Sequence, residues 1–322
     1  MPDTKNKNFH IVDKVDDFLS YLSVEKGSSP LTIRNYKHYL SRFNSWLIKN
    51  NKTGDLTDLD MDNVSKFRSH LASLKLSRKT QSYHAIAIRS FLKWLIKHDY
   101  KVMAPDKIEL PKIEERQVKF LNGEQIDRLL NAPKIDETDT NTTKKLIALR
   151  DKAMLEVLFS TGLRVSELTS LNKDKIDFDR REFGITGKGG RVRVVFLSSR
   201  STAHLKRYLD SRKDNFKPLF IRHMGKLDPS MDDKEVRLTT RSVERAVKKY
   251  VRQIRLPVDA SVHTLRHSYA TDLLIAGADM RSVQEMLGHK NIATTQIYTH
   301  VTNKRLREIH ESYHHKDKDK NE

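Results

Sequence analysis

The sequence predicts a mainly α-helical protein of two domains, with one small antiparallel β-sheet in the second. Three observations support this fold class. The 322 residues are more than one average domain needs. Apolar residues recur at helical spacing over most of the chain, whereas residues 191–197 alternate beside a glycine-rich turn and are rich in β-formers. No internal repeat is apparent.

The first domain, expected over residues 1–100, should consist of helices. Its first segment places Val15, Phe18, Leu19 and Leu22 on one helical face. A Gly-Ser-Ser-Pro break follows, and apolar stripes then recur in later segments. Helices are therefore predicted at 12–25, 31–49, 61–74 and 79–98.

An extended linker is expected over residues 101–117, which hold two prolines and no regular period. In the second domain, residues 118–322, Asn122 is a suitable N-cap for a helix that reaches about Ala132. Short strands are predicted around turns at 177–182 and 187–190. Further helices are predicted at 144–160, 164–171, 201–213, 240–254, 264–276, 280–287, 291–300 and 302–313.

The composition indicates a basic protein. Lys and Arg number 61 against 42 Asp and Glu, which gives a formal net charge of +19, and both halves share the excess. Such a field attracts polyanions, of which nucleic acid is the commonest. The absence of cysteine excludes a disulfide framework, a thiolate metal site and a cysteine nucleophile. Because no apolar run could span a membrane and the N-terminus lacks a secretory signal, we expect a cytoplasmic protein without membrane association.

Several side chains that are distant in sequence suit one chemical task. They are Arg164, Lys188, His263, Arg266, His289 and Tyr298. On a helix, His263 and Arg266 share a face. His263 and His267 also have the spacing of metal ligands, but the Glu of H-E-x-x-H and a nearby carboxylate cluster are both missing. We therefore expect neither a metal nor a cofactor.

These residue types fit attack on a phosphodiester without a metal ion. The pentacoordinate transition state gains negative charge, which guanidinium groups can bind bidentately and stabilise without reorganising. Histidines add donors and can move a proton, and tyrosine is a known covalent nucleophile. Lys188, on a glycine-rich turn, is suited to protonate the leaving sugar oxygen.

The sequence resembles the tyrosine recombinases of the phage integrase family, in particular the Xer type. The resemblance extends from about residue 12 to residue 312. Its strongest segments are TGLRVSEL (161–168), HTLRHSYATDLLIAGADMRSVQEMLGH (263–289) and NIATTQIYTHV (291–301). It implies a two-domain clamp, in which a helical core-binding domain with a SAM-like fold precedes an α+β catalytic domain.

The resemblance implies a role for each motif residue. The catalytic positions are the first arginine Arg164, the β-turn lysine Lys188, the H-x-x-R pair His263 and Arg266, the histidine His289 and the nucleophile Tyr298. Glu167 corresponds to the acidic residue that supports the site, and residues 302–313 to a helix exchanged between protomers. Phe196 stands where the family often has proline, and residues 223–238 have no assigned role.

Two basic helix faces are candidates for DNA contacts. In the first domain the basic residues recur every four positions and share one face: Arg89, Lys93 and Lys97. By resemblance, the helix at 240–254 enters the major groove of DNA. Its basic side presents Arg241, Arg245 and Lys248.

The resemblance implies site-specific recombination of double-stranded DNA. Four protomers, as a homotetramer or as a heterotetramer with a paralogue, would hold two duplexes and exchange strands through a Holliday junction, and a DNA translocase would be an activating partner. We favour Xer-like dimer resolution and chromosome partition over DNA integration by a mobile-element or phage integrase. A type IB topoisomerase and a DNA-binding protein without activity are more distant alternatives.

Overall fold

The computed structural model describes residues 9–111, 119–136, 138, 140–187, 190, 192–257 and 259–288. The chain forms two compact units, Met1–Glu115 and Arg116–Glu322. Both units are mainly helical, and a two-stranded antiparallel sheet lies in the second, so the predicted fold class is confirmed. Among the described residues, no helix is both long enough and apolar enough to cross a membrane.

The described part of the first unit contains the helices α1 (Ile11–Val24), α2 (Pro30–Lys49), α3 (Met61–Ser73) and α4 (Arg78–Lys97). Each begins and ends within about one residue of its prediction, which is the usual uncertainty of helix ends. Each helix contributes one phenylalanine that is at most 1% exposed: Phe18, Phe43, Phe67 and Phe91. The ring centroids lie 5.5 Å apart for Phe18 and Phe91 and 5.0 Å apart for Phe43 and Phe67. These aromatic contacts hold the four helices around one core.

The helices α2 and α4 repeat each other's local structure. Both have 20 residues and both end in Trp-Leu-Ile-Lys. Each starts at a serine, Ser29 or Ser77, whose Oγ accepts the backbone N–H of a threonine at 3.2 Å. Shortly after each helix comes a residue with positive φ, Asn51 at 57° and Asp99 at 63°.

The preceding helices carry the same repeat. The pattern D-x-V-x-x-F-x-S-x-L occurs at 13–22 in α1 and again at 62–71 in α3, and its Val and Phe are buried in both. The first unit is therefore built from two copies of a helical hairpin, α1–α2 and α3–α4. The expectation that the chain has no internal repeat is wrong here.

Residues 101–111 are the described part of the segment expected to be a linker. Ile108 is fully buried, and Val102 and Met103 pack against the core of the first unit. A 3-10 turn at Pro105–Lys107 places the Oδ1 atom of Asp106 beside α4, where it accepts a hydrogen bond from Arg89 Nη2 at 2.6 Å. The stretch up to Ile108 thus differs from an extended linker, because its apolar side chains are buried with the first unit. The domain limits themselves remain a prediction.

The second unit contains, among its described residues, the helices α5 (Gly123–Leu130), α6 (Thr142–Thr161), α7 (Val165–Ser170), α8 (Ser199–Asp210), α9 (Asp233–Val236), α10 (Thr240–Gln253), α11 (Val262–Ala276) and α12 (Met280–Leu287). Asn122 caps α5 as predicted, because its Oδ1 accepts the N–H of Gln125 while Gln125 Oε1 accepts the N–H of Asn122. Every residue of α6 from Leu149 to Leu158 is buried, and the helix packs against α5, α8 and α11. It is the centre of this unit.

The sheet consists of β1 (Glu182–Thr186) and β2 (Val192–Phe196), with Glu182 opposite Phe196 and Thr186 opposite Val192. Successive side chains of β2 point to opposite faces. Val195 is buried on the inner face, which it shares with Arg193, whereas Phe196 is 53% exposed on the outer face. The inner face of β2 therefore reaches the candidate site.

The segment 223–238, which the sequence left without a role, folds back on the unit. Ile221 pairs with Arg237, and Val236 is buried against Ile221. The Arg237 guanidinium donates to the carbonyl oxygens of Thr169 at 3.0 Å and Leu171 at 2.9 Å. This segment therefore satisfies backbone acceptors at the C-terminal end of α7.

Candidate active site

Arg266 connects three motifs that are far apart in the sequence. It lies in α11 and is 4% exposed. Its Nη1 donates to the carbonyl oxygen of Gly162 and its Nη2 to that of Leu287, each at 2.6 Å. Gly162 belongs to the segment TGLRVSEL, and Leu287 is the last residue of α12. One buried guanidinium therefore joins the backbone of the first and second segments that carry the resemblance.

Arg164 and Glu167 lie at the N-terminus of α7. Glu167 Oε2 accepts the backbone N–H of Arg164 at 2.8 Å, and Oε1 accepts a hydrogen bond from Arg164 Nη1 at 2.8 Å. The Arg164 side chain is 34% exposed, whereas that of Glu167 is 8% exposed. Arg164 Nη2 also lies 3.5 Å from the carbonyl oxygen of Gly288. Arg164 and Arg266 thus meet the consecutive carbonyls of Gly288 and Leu287, so both predicted arginines face one turn.

Sequence reasoning missed Arg193. Its Nη1 and Nη2 donate to Glu167 Oε1 at 3.1 Å and Oε2 at 2.9 Å, and its Nε donates to the carbonyl oxygen of Met286 at 3.1 Å. The side chain is only 11% exposed. The available signal was the alternation of β2, because a charged residue on the inner face of a half-buried strand needs a buried partner.

Glu167 is held as a carboxylate. Burial alone would raise its pKa, but the hydrogen bonds from Arg193 and from the Arg164 backbone, together with the positive charges, lower the pKa of Glu167 to about 2. At neutral pH this group therefore accepts hydrogen bonds and does not donate a proton. Its role is to hold the guanidinium groups of Arg164 and Arg193 in place.

Two glycines allow the motifs to approach each other. Gly162 ends α6 with φ +60°, and a Cβ there would lie 2.5 Å from Tyr269 Cδ1. Gly288 ends α12 with φ +65°, and a Cβ there would lie 3.1 Å from Arg193 Cδ. Both residues take the left-handed conformation, which favours glycine. A side chain at position 162 would also overlap the Tyr269 ring, whereas one at position 288 would require only a small shift of Arg193.

Replacing Gly162 by alanine is expected to lower the free energy of unfolding by about 3 kcal/mol, because left-handed strain adds to the clash with Tyr269. Gly190→Ala is the matched control, since Gly190 has φ +78° but open space around its Cα. The control should lose only about 1 kcal/mol from the left-handed strain. Urea unfolding of the full chain measures both, and equal losses would show that the Tyr269 contact is unimportant.

His263 is exposed at the start of α11, and its ring lies 6.1 Å from that of His267 in an edge-to-face arrangement. Burial, followed by the nearby His263 and Arg266, lowers the pKa of His267 to about 4. His267 is therefore neutral at physiological pH. The other predicted site positions, Lys188, His289 and Tyr298, lie outside the described residues, as do the helices predicted at 291–300 and 302–313.

The candidate DNA-contacting residues are placed as follows. On α4, Lys93 and Lys97 are exposed, whereas Arg89 is paired with Asp106. On α10 the basic side chains are all exposed, on the side opposite the buried valines of that helix: Arg241, Arg245 and Lys248. The α10 face is the more available of the two for an anionic partner.

The chain is similar to known proteins over nearly its whole length. The model of the phage integrase family matches residues 119–305, and that of the phage integrase N-terminal SAM-like domain matches residues 15–99. A protein named tyrosine recombinase XerC from Pelotomaculum thermopropionicum is 34% identical over 307 residues, which cover 93% of this chain and 97% of that protein. A protein named tyrosine recombinase XerD from Listeria innocua is 35% identical over 312 residues, covering 94% and 98%.

Solved structures share the fold. One is the XerH site-specific recombinase bound to a palindromic difH substrate in a post-cleavage complex, which is 23% identical, with a TM-score of 0.69 and coverage of 96% of this chain and 90% of that chain. Another is the Tn1549 transposon integrase in complex with transposon right end DNA. It is 15% identical, with a TM-score of 0.70 and coverage of 94% and 99%.

Proposed function

The chain belongs to the phage integrase family and is a tyrosine site-specific recombinase of the Xer type, and we propose that it recombines double-stranded DNA through a covalent bond to Tyr298. The observation that carries the proposal is the meeting of Arg164 and Arg266 at the carbonyls of Leu287 and Gly288. Two fixed guanidinium groups at one turn are suited to the non-bridging oxygens of a single phosphate.

The proposed reaction is a transesterification. The phenolic oxygen of Tyr298 attacks the scissile phosphorus, the bond to the 5′ oxygen breaks, and a 3′-phosphotyrosine forms. Lys188 gives a proton to the leaving 5′ oxygen, while His263 and His289 donate hydrogen bonds and accept the phenolic proton. The phosphotyrosine keeps the energy of the broken diester, so a 5′ hydroxyl from the partner duplex can reverse the step without ATP.

A junction assay tests this function. Two labelled duplexes that carry the target site should give a four-way Holliday junction, visible on a native gel, when incubated with the chain. A type IB topoisomerase would relax supercoiled DNA without forming the junction. A DNA-binding protein without activity would shift both duplexes and cut neither. Either of those two results would overturn the proposed function.

We propose the assembly and the target from the resemblance to the Xer recombinases. The relatives are named tyrosine recombinases XerC and XerD. For this chain of the Xer type we favour a role in resolving chromosome dimers over one in a mobile element. Four protomers, identical or shared with a paralogue, would hold two duplexes, and helix 302–313 would pass between neighbours in a closed ring. A DNA translocase would activate the complex. Mapping covalently trapped DNA across the host genome identifies the target.

We propose that the exposed basic face of α10 contacts phosphates or bases of the target. Arg245→Ala should then reduce the slope of log affinity against log salt by roughly 0.9, because one neutralised phosphate contact is lost. Arg281→Ala on α12 is the control, since its side chain is 86% exposed and faces Glu285 at 3.8 Å. Half-site binding at several salt concentrations measures both slopes. Equal slopes for both variants and the unchanged chain would remove α10 from the interface.

A further inference from the structure

Arg193 occupies a position between three parts of the candidate active site. It lies on β2, both of its terminal nitrogens bond to Glu167, and its Nε bonds to the backbone of Met286 near the end of α12. Its stem also passes over Gly288, where a Cβ would come within 3.1 Å. These contacts use all three guanidinium nitrogens of Arg193 and leave its side chain 11% exposed, whereas the neighbouring Arg164 side chain is 34% exposed.

The positive charge of Arg193 affects how strongly Arg164 can attract a phosphate. A lone carboxylate bonded to Arg164 would neutralise it and weaken its attraction for a phosphate. Glu167 is instead shared by two guanidinium groups, and Arg193 takes the bidentate geometry that binds a carboxylate most strongly. The trio therefore keeps one net positive charge, and the exposed member that can present it to a substrate is Arg164, at 34%.

We propose that Arg193 is a positioning residue that holds Glu167 and offsets its charge, so that Arg164 keeps its full positive charge at the scissile phosphate. This inference rests on the proposed function, since it takes Arg164 to bind that phosphate. Arg193 acts through Arg164 and does not touch the substrate.

The first test compares two substrates with Arg193→Gln. On normal DNA, single-turnover adduct formation should slow by about 100-fold, since one transition-state contact is misplaced and partly neutralised. A substrate whose scissile phosphate carries a methyl group in place of a non-bridging oxygen has no charge for Arg164 to balance. On this methyl substrate the rate of adduct formation by Arg193→Gln should be less than about fivefold below that of the unchanged chain. Equal losses on the two substrates would overturn the inference.

A double-mutant cycle gives a second readout on normal DNA. If Arg193 acts through Arg164, the substitution Arg193→Lys should slow adduct formation by about tenfold when it is made alone. The same substitution should slow adduct formation by less than about twofold when Arg164→Gln is already present. Additive losses would overturn the inference. Arg193→Lys keeps a charge beside Glu167, so it also serves if Arg193→Gln does not fold, and it should retain more activity than the glutamine variant.

The control is Arg237→Gln, because Arg237 is also half-buried and also bonds to the end of α7, but to the carbonyls of Thr169 and Leu171. Arg237→Gln should lower the stability of the protein, but any loss in its rate of adduct formation should be the same on the normal and the methyl substrates. A third substrate, with sulfur as the leaving atom, needs no proton from Lys188. If the sulfur substrate restored the rate of Arg193→Gln and the methyl substrate did not, Arg193 would act through Lys188 and the inference would fail.

The unchanged chain run beside these variants separates the two proposals. No adduct from the unchanged chain on normal DNA would refute the proposed function and the inference together. An adduct from the unchanged chain, with the same fractional loss for Arg193→Gln on the phosphate and methyl substrates, would refute the inference alone.

Discussion

Tyr298→Phe is expected to abolish the covalent adduct completely while changing DNA affinity by less than about twofold. Only the phenolic oxygen is removed, and the affinity depends mainly on the basic faces that meet the phosphates. A suicide substrate, in which the strand released by cleavage diffuses away, traps the adduct for a denaturing gel. A native-gel titration of the same preparation measures the binding.

Tyr269→Phe is the matched control for this experiment. Tyr269 lies in α11, where its ring packs on Gly162, and burial raises the pKa of its hydroxyl. A phenol of raised pKa is a poorer source of phenolate, so this variant should form the adduct at nearly the normal rate. If the adduct persisted in Tyr298→Phe and disappeared in Tyr269→Phe, the nucleophile would be Tyr269 and the family correspondence of residues 291–301 would be wrong.

Most of the helices and the sheet were predictable from local periodicity, whereas the short helix α9 (Asp233–Val236) was not, because four residues are too few to show a period. The apolar stripe of α2 and the alternation of β2 are visible in any short window of the sequence. Arg164, Glu167 and Arg266 were found as motif residues, and the structure adds how Arg266 joins their segments through backbone carbonyls. Those acceptors are main-chain atoms, which have no signature in a side-chain pattern.

Two features escaped the sequence for different physical reasons. Arg193 became significant only when its partner was known, because Glu167 lies on another element and the pair is non-local. The hairpin repeat of the first unit escaped because the pattern shared by α1 and α3 covers few positions. Burial of the same valine and phenylalanine in each copy makes the shared positions recognisable as one core.

Arg266→Lys is expected to slow adduct formation by at least about 100-fold, because an ammonium cannot reproduce the planar, bidentate geometry of a guanidinium. Lysine can reach one of the two carbonyls, of Gly162 or Leu287, and leaves the other without its donor. A buried acceptor that loses its donor costs about 1–3 kcal/mol, which corresponds to a fall in melting temperature of about 2–12 °C for a unit of this size. Half-site affinity should remain within a few fold, since the charge is kept.

Arg212→Lys separates the loss of stability from the loss of catalysis. Arg212 has a side chain that is 1% exposed, and its Nη1 donates to the carbonyl oxygens of Pro218 and Leu219 at 2.8 and 3.0 Å, away from the site. This variant should melt at a temperature lowered by a similar amount, yet form the adduct at close to the normal rate well below that temperature. If the two variants lost activity equally at equal stability, Arg266 would be a structural arginine. The convergence of Arg164 and Arg266 on one turn would then no longer support binding of the scissile phosphate.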